Sequence, residues 1–200
     1  MALPAMNTVN AMPLLVIGAA SLLGTLLALW AGARAEPARR AVLAVDRVVT
    51  EIAAILACAA LAVACLAGLW QVIARFATET PAIWSEALVR TALIWMAMLG
   101  LAVALRAGAL VSIDAAYRFS RGGLRRGLEA AALAANWSLM GVLFWFGWSM
   151  AQRVRFQEMA GLEVSMSWGY AAIPLGALFA MLGALANFLD RRSAELEAAV

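Results

Sequence analysis

The spacing of charged residues limits the possible folds of this chain more than any other feature of its sequence. A stretch of fifteen residues without a charge, 91–105, lies between Arg90 and Arg106. Counted from Glu86, the stretch up to residue 105 is twenty residues long. That corresponds to about 30 Å of helix, the thickness of the hydrocarbon core of a bilayer. The stretch therefore predicts a transmembrane helix.

Four further segments have the same apolar character. Residues 13–33 form a charge-free run of twenty-one, and apolar spans follow at about 48–73, 130–151 and 168–189. In a chain of 200 residues, 66% are hydrophobic and 14% are charged, which is outside the range of soluble domains. We therefore expect an all-α integral membrane protein with four core transmembrane helices and one extra N-terminal transmembrane helix.

The N-terminal run can be interpreted in two ways. Residues 33–35, Ala-Arg-Ala, are similar to a small-residue cleavage site, so the run at 13–33 could belong to a signal peptide. Residues 1–12 contain no basic residue, however, whereas a signal peptide begins with positive charge. We expect this helix to be retained.

The arginines predict the orientation in the membrane. All fifteen basic residues are arginine, and eleven of them fall in the segments 34–47, 106–126 and 191–192. Because cytoplasmic segments carry the excess of positive charge, we expect these segments inside and the C-terminus in the cytoplasm. A retained first helix then places the N-terminus outside. Since the arginines lie between apolar spans, the net charge of +3 does not indicate binding to nucleic acid.

The chain is expected to divide into three parts. Residues 1–47 would hold the N-terminal transmembrane segment and a basic cytoplasmic link, 48–189 a four-helix core, and 190–200 a cytoplasmic charged tail. Within the core, residues 107–126 interleave apolar residues with arginines. This pattern is typical of an amphipathic segment on the lipid surface, and a plain basic loop broken at Gly122 and Gly123 explains it equally well.

Two motifs resemble a known family. One begins with Trp-Ser-Glu at 84–86, has an Arg four residues after the Glu, and continues through a Trp into L-G-x-A-x-A-x-R-x-G with a later Asp. The other, at 165–176, is a Trp/Tyr segment that enters an I-P-x-G. In this order they are similar to the small membrane subunit, the DctQ-like component, of tripartite ATP-independent periplasmic (TRAP) transporters. The resemblance covers about residues 48–189, although the family often has a His after Gly108 where this chain has Leu110.

The resemblance implies a function and partners. A small subunit of this kind is a scaffold in the bacterial inner membrane, beside a large membrane subunit that holds the Na⁺ and substrate sites. A periplasmic binding protein delivers an organic acid to the pair. No cofactor is expected on this chain, and membrane lipid is its other partner. The residues that the motifs single out for partner contacts are Trp84, Glu86, Arg90, Trp95, Gly100, Arg106, Gly108, Asp114, Trp168 and Pro174. The candidates for docking of the binding protein are Arg75, Arg153 and Arg155, in the outer loops at 75–85 and 152–167.

Two local predictions concern charge and helix shape. Glu86 and Arg90 stand four residues apart, so they share a helical face and can pair with each other or jointly with the large subunit. Pro174 lies about one and a half turns into the last span, where we expect a local kink.

The sequence offers no constellation for catalysis. It contains no His, which excludes bis-imidazole haem binding and His-based zinc sites or proton relays. Cys58 and Cys65 are seven residues apart on one helix, about 10 Å, which is too far for a disulfide. No span has a charge near its middle of the kind that builds an ion site. The alternatives are a membrane-anchor subunit of a respiratory complex and a small self-assembling transporter or channel.

Overall fold

The computed structural model describes residues 12–34, 36–77, 82–108 and 123–197, and their regular secondary structure is helical apart from one isolated bridge between residues 158 and 165. Within these ranges, four segments are long and apolar enough to cross a membrane. They are Arg39–Ala77, Ile83–Arg106, Gly127–Arg153 and Ser167–Asp190. The expected all-α membrane fold with four core helices is confirmed. The helices are α1 (Met12–Arg34), α2 (Glu36–Ala77), α3 (Ile83–Arg106), α4 (Gly123–Arg153), α5 (Ser167–Tyr170) and α6 (Ala172–Glu197).

Neighbouring helices pack in the order α2, α3, α6, α4 and α1, and α6 also contacts α2. The N-terminus of α3 and the segment at 154–171 lie together at one end of the bundle, which we call the outer end. Asp46, Arg106 and Asp190 lie together at the other end, which we call the inner end. Two of the arginine-rich segments predicted to be cytoplasmic adjoin this inner end, because residues 36–47 include Asp46 and residues 191–192 directly follow Asp190.

The contact between α2 and α3 depends on small side chains. The most buried residues of α2 past Asp46 are alanines at 53, 57, 64, 67 and 74. These positions are separated by four, seven, three and seven residues. Because seven residues make about two helical turns, all five alanines lie along one seam of the helix. Small side chains in such a seam allow two backbones to approach closely. The large apolar side chains of α2 therefore point outward, and Ile55, Leu66 and Leu69 are each more than half exposed.

The contact between α3 and α6 depends on glycine. A Cβ on Gly176 would lie 2.6 Å from Met98 Cβ and 3.0 Å from the Met98 carbonyl oxygen. A Cβ on Gly183 would lie 3.0 Å from the Ala102 carbonyl oxygen. Gly100 differs, because a Cβ there would meet no atom within 4 Å. The two backbones approach each other along the Gly176 side of α6.

The last span is divided near its outer end. Helix α5 ends at Tyr170, Ala171 lies in a turn, and α6 begins at Ala172. Pro174 is the third residue of α6, where its missing N–H would have had no partner within that helix. Ala171 keeps helical dihedral angles, and Leu175 N donates to its carbonyl oxygen at 3.3 Å, so hydrogen bonding continues across the division. The local kink expected at Pro174 stays a prediction.

Helix α1 lies against α4. Ile17 lies over Gly141, and the indole of Trp137 lies over Gly24. Residue numbers fall along α1 as they rise along α4, so the two helices are antiparallel. Extending that register puts Pro13 beside about residue 145–148 of α4, roughly one to two turns before Arg153. The apolar stretch of α1, Pro13–Leu26, is shorter than each of the four spans.

Helix α2 begins earlier than the sequence predicts. Residues 36–47, expected as a link, are the first turns of α2, so α2 has 42 residues and measures about 63 Å. Because this is about twice the bilayer core, α2 projects beyond it or tilts within it. Asp114, most of the segment 107–126, and residues 78–81 of the first outer loop lie outside the described residues.

We predict five crossings, with the N-terminus outside and the C-terminus inside. In a background that replaces the free Cys58 and Cys65 by serine, single cysteines can be labelled with an impermeant reagent. Cysteines at Gln157 and at Ala5 should be labelled in intact cells, and one at Ser193 only after permeabilisation. Labelling at position 5 only after permeabilisation would contradict a crossing by α1, while the result at 157 tests the core separately.

Candidate functional site

Three charged side chains from three helices meet at the inner end. Arg106 Nε donates to Asp46 Oδ2 at 2.5 Å, and Arg106 Nη2 donates to Asp190 Oδ2 at 2.5 Å. The Asp46 side chain is only 2% exposed, whereas those of Arg106 and Asp190 are 27% and 41% exposed. A buried carboxylate is costly unless it is paired and hydrogen-bonded. Arg106 supplies that pairing, and we call these three residues the inner cluster.

Neighbouring polar contacts extend the inner cluster. Asn187 Nδ2 donates to the Leu105 carbonyl oxygen at 3.0 Å, one residue before Arg106. That carbonyl belongs to the last turn of α3, where carbonyls lack helical partners. Gly108 follows with φ of 66°, and its N–H donates to the Leu105 carbonyl oxygen at 3.2 Å. The glycine takes a left-handed conformation that suits a helix end.

Asp46 was missed by sequence reasoning, which assigned it to a basic link. A signal was available, because Asp46, Thr50, Ala53 and Ala57 follow steps of four and three and so share one face of a helix. Asp46 is thus the polar end of the alanine seam of α2.

Glu86 and Arg90 form the expected pair at the outer end. Arg90 Nη2 lies 2.8 Å from Glu86 Oε1. The Arg90 side chain is 70% exposed and the Glu86 side chain is 63% exposed. An ion pair with this exposure contributes about 0–1 kcal/mol. Its contribution to folding is therefore small, and its charges remain accessible to other groups.

The second outer loop is well ordered by backbone contacts. Met159 N donates to the Val164 carbonyl oxygen at 2.8 Å, and Met166 N donates to the Gln157 carbonyl oxygen at 2.8 Å. Gly161 has φ of 80°, and a Cβ there would lie 2.8 Å from the backbone nitrogen of Trp84. A glycine is therefore required where this loop contacts the start of α3.

The loop presents charged side chains from this ordered base. Arg153 and Arg155 are exposed. The guanidinium carbon of Arg155 lies 4.6 Å from the centroid of the Phe156 ring, which is 84% exposed. Ser165 Oγ donates to the Arg155 carbonyl oxygen at 2.7 Å. The docking candidate Arg75 lies at the same end of the bundle, in the last turn of α2.

A groove runs along α3 from the outer end. Its volume is about 510 Å³, within the range of small-ligand sites. One wall is a face of α3, and the other consists of the second outer loop, α5 and the start of α6. We call it the outer groove, and the residues that line it are Ile83, Glu86, Ala87, Arg90, Thr91, Ile94, Ala97, Met98, Met159, Ala160, Met166, Gly169, Tyr170 and Ile173.

The motif residues do not form one site. Trp84 contacts the second outer loop at Gly161, and Trp95 Nε1 donates to the Trp168 carbonyl oxygen at 3.1 Å, so three of the motif tryptophans lie toward the outer end. Gly100 lies farther along α3, and Arg106 and Gly108 lie at the inner end. The motif thus marks both ends of α3, and whether these residues contact partners stays a prediction.

Among the described residues, no group of three or more His, Cys, Asp or Glu side chains could hold a metal ion. Four apolar spans, a charged inner end and an ordered outer loop define a small multispanning helical membrane protein.

Comparison with known proteins then identifies its family. The model of the DctQ component of tripartite ATP-independent periplasmic transporters matches residues 65–194. The chain belongs to this family, which confirms the resemblance found in the sequence motifs. A similar protein is the sialic acid TRAP transporter small permease protein SiaQ of Vibrio cholerae, which is 32% identical over 114 residues. The alignment covers 55% of this chain and 64% of that relative, slightly less than two thirds of its length.

Proposed function

We propose that this chain is the scaffold subunit of a TRAP transporter that takes up an organic acid across the inner membrane. The observation that carries this proposal is the family match at 65–194, which covers the outer third of α2, all of α3 to α5, and most of α6. The matched region therefore includes the alanine seam past residue 65, the α3–α6 contact and the second outer loop. In this proposal the chain itself binds no cofactor and catalyses no reaction.

The proposed partner is a large membrane subunit that couples uptake to Na⁺. The exposed flank of α2 offers it an apolar lateral surface, with Ile55, Leu66 and Leu69 at 69%, 68% and 59% exposure. Bilayer lipid would cover the rest of this surface. The family membership favours a protein partner for part of it.

The substrate is proposed only as a class. The relative's name specifies sialic acid, which is an organic acid. A periplasmic binding protein would deliver the substrate to the outer end, where the second outer loop presents Arg153 and Arg155. The same loop carries Glu158 and Glu163, both exposed, so its surface has both signs of charge.

Reconstitution into sealed vesicles tests the proposed function. Vesicles would hold this chain, its large subunit, or both, with a Na⁺ gradient and a substrate-loaded binding protein outside. We expect uptake only when both membrane chains are present. Uptake by this chain alone would contradict the scaffold role, and full uptake by the large subunit alone would show that the scaffold is dispensable.

We predict that charge reversal in the second outer loop weakens docking. The double variant Arg153→Glu/Arg155→Glu should raise the binding-protein concentration needed for half-maximal uptake by on the order of tenfold, because electrostatic steering of the encounter is lost. The measurement is initial uptake rate against binding-protein concentration, at low and high salt.

The matched control for this prediction is Arg153→Lys/Arg155→Lys, which keeps the charge and should behave like the parent chain. Copurification of the two membrane chains should be the same for all variants. The difference between the reversed variant and the parent should shrink at high salt. A difference that is independent of salt would show that charge is not the cause.

A further inference from the structure

We propose that the outer groove is a binding site for one phospholipid with a primary-amine zwitterionic headgroup, that is, a phosphatidylethanolamine. One acyl chain would lie in the groove, and the headgroup would contact Glu86 and Arg90. This inference depends on the membrane location of the chain and does not depend on its role in transport.

The direction and depth of the groove fit an acyl chain. On α3 the groove extends from Ile83 to Met98, which is about 22 Å along the helix axis. One leaflet of the hydrocarbon core is about 15 Å thick, half of the full 30 Å. A groove that begins at the helix end and follows the helix therefore covers the depth of one leaflet and part of the headgroup layer.

The inner part of the groove is lined by apolar side chains. Ile94, Met98 and Ile173 line it away from the outer end, and Met159 and Met166 line it nearer that end. Methionine side chains are flexible and adapt to irregular apolar shapes. Thr91 lies among them, and its hydroxyl donates to the Ala87 carbonyl oxygen at 2.9 Å, so it places little polarity in the groove.

The groove is open on its side. Ile83 and Ala97, near its two ends, are both exposed. At the depth of Ala97 the surroundings of a transmembrane helix are hydrocarbon, because water is absent from the bilayer core. A lipid chain can therefore enter laterally and bury its methylene groups against the groove wall.

The charges at the mouth determine the headgroup. Glu86 and Arg90 lie one turn apart, with oxygen and nitrogen 2.8 Å from each other and both side chains mostly exposed. A phosphate can accept hydrogen bonds from the Arg90 guanidinium, and an ammonium can donate to the Glu86 carboxylate. A choline headgroup has no N–H to donate, and an anionic glycerol headgroup has no cation for Glu86. Ethanolamine satisfies both side chains.

The test is a count of retained lipids. The full chain would be reconstituted in nanodiscs with equal amounts of phosphatidylethanolamine, phosphatidylcholine and phosphatidylglycerol, then released in mild detergent for native mass spectrometry. We expect one lipid per chain to be retained, with phosphatidylethanolamine favoured at least fivefold over either competitor. Retention in the proportions of the bulk mixture would overturn the proposal.

Two variants separate the acyl-chain contact from the headgroup contact. Ala97→Phe fills the groove and should reduce retention at least fivefold, whereas the control Ala62→Phe, at an exposed position of α2, should not. Glu86→Gln/Arg90→Gln changes only exposed groups, so the fold is kept, and it should retain a lipid without headgroup preference. Equal retention by both Phe variants, or an unchanged headgroup preference in the Gln variant, would contradict the site.

Discussion

Replacing Arg106 by methionine should destabilise the folded bundle by about 3–5 kcal/mol, the cost of leaving a buried charge without its partner. Methionine keeps most of the length of the side chain and removes both hydrogen bonds of the inner cluster. Asp46, at 2% exposure, would then be a buried carboxylate without an ion-pair partner, with the Thr50 hydroxyl donating to its Oδ1 at 3.4 Å. The measurement is reversible unfolding of the purified chain in mixed micelles, followed by circular dichroism.

A double-mutant cycle shows whether the buried charge is the cause. Asp46→Asn in the Arg106→Met background removes the unpaired carboxylate and should restore a large part of the loss. Asp190→Asn should cost much less, because the Asp190 side chain is 41% exposed and can be solvated.

The pair Glu86–Arg90 is the matched control for this cycle. It joins the same kinds of groups, a carboxylate and a guanidinium, with side chains 63% and 70% exposed. Removing either member should change the free energy of unfolding by less than about 1 kcal/mol. An Arg106→Met chain as stable as the parent would show that Asp46 is satisfied without Arg106.

The second large effect is expected at Gly176. The variant Gly176→Ala places a methyl group about 2.6 Å from Met98 Cβ and about 3.0 Å from its carbonyl oxygen, so α3 and α6 must separate. Overpacking of this kind costs about 1–3 kcal/mol. The free energy of unfolding in the same micelles measures it.

Gly100 supplies the control for that prediction. It is also a helical glycine, two residues after Met98 on α3, but a Cβ there would meet no atom within 4 Å. Gly100→Ala should be neutral or stabilising by about 0.5–1 kcal/mol, because alanine loses less backbone entropy in a helix. If both alanine variants behave alike, close contact at Gly176 does not limit the approach of the two helices.

The core helices could be predicted from the sequence because the bilayer imposes one length and one polarity on every span. Charge-free runs such as 91–105 leave few alternatives, and the spans predicted at 130–151 and 168–189 agree with the apolar spans Gly127–Arg153 and Ser167–Asp190 to within about three residues. The spacing of Glu86 and Arg90 also predicts their pairing, because residues four apart are neighbours on a helix.

The inner cluster could not be predicted in the same way. Arg106 is 60 residues from Asp46 and 84 residues from Asp190 along the chain. Their contact therefore depends on which helices are neighbours. Hydropathy determines how many spans exist and says nothing about their order in the bundle. The outer groove was missed for a related reason, since its second wall includes a loop whose shape depends on Gly161 and on contacts with Trp84.

The alanine seam of α2 has a consequence for how such a chain can diverge. Contacts within the bundle use small side chains on one face of α2, while its bulky side chains occupy the opposite face. Substitutions on the bulky face can therefore accumulate without disturbing the fold. If that face contacts another membrane chain, duplicated genes could acquire separate pairing preferences through this face alone, and two related transporters in one cell could keep their subunits from mixing.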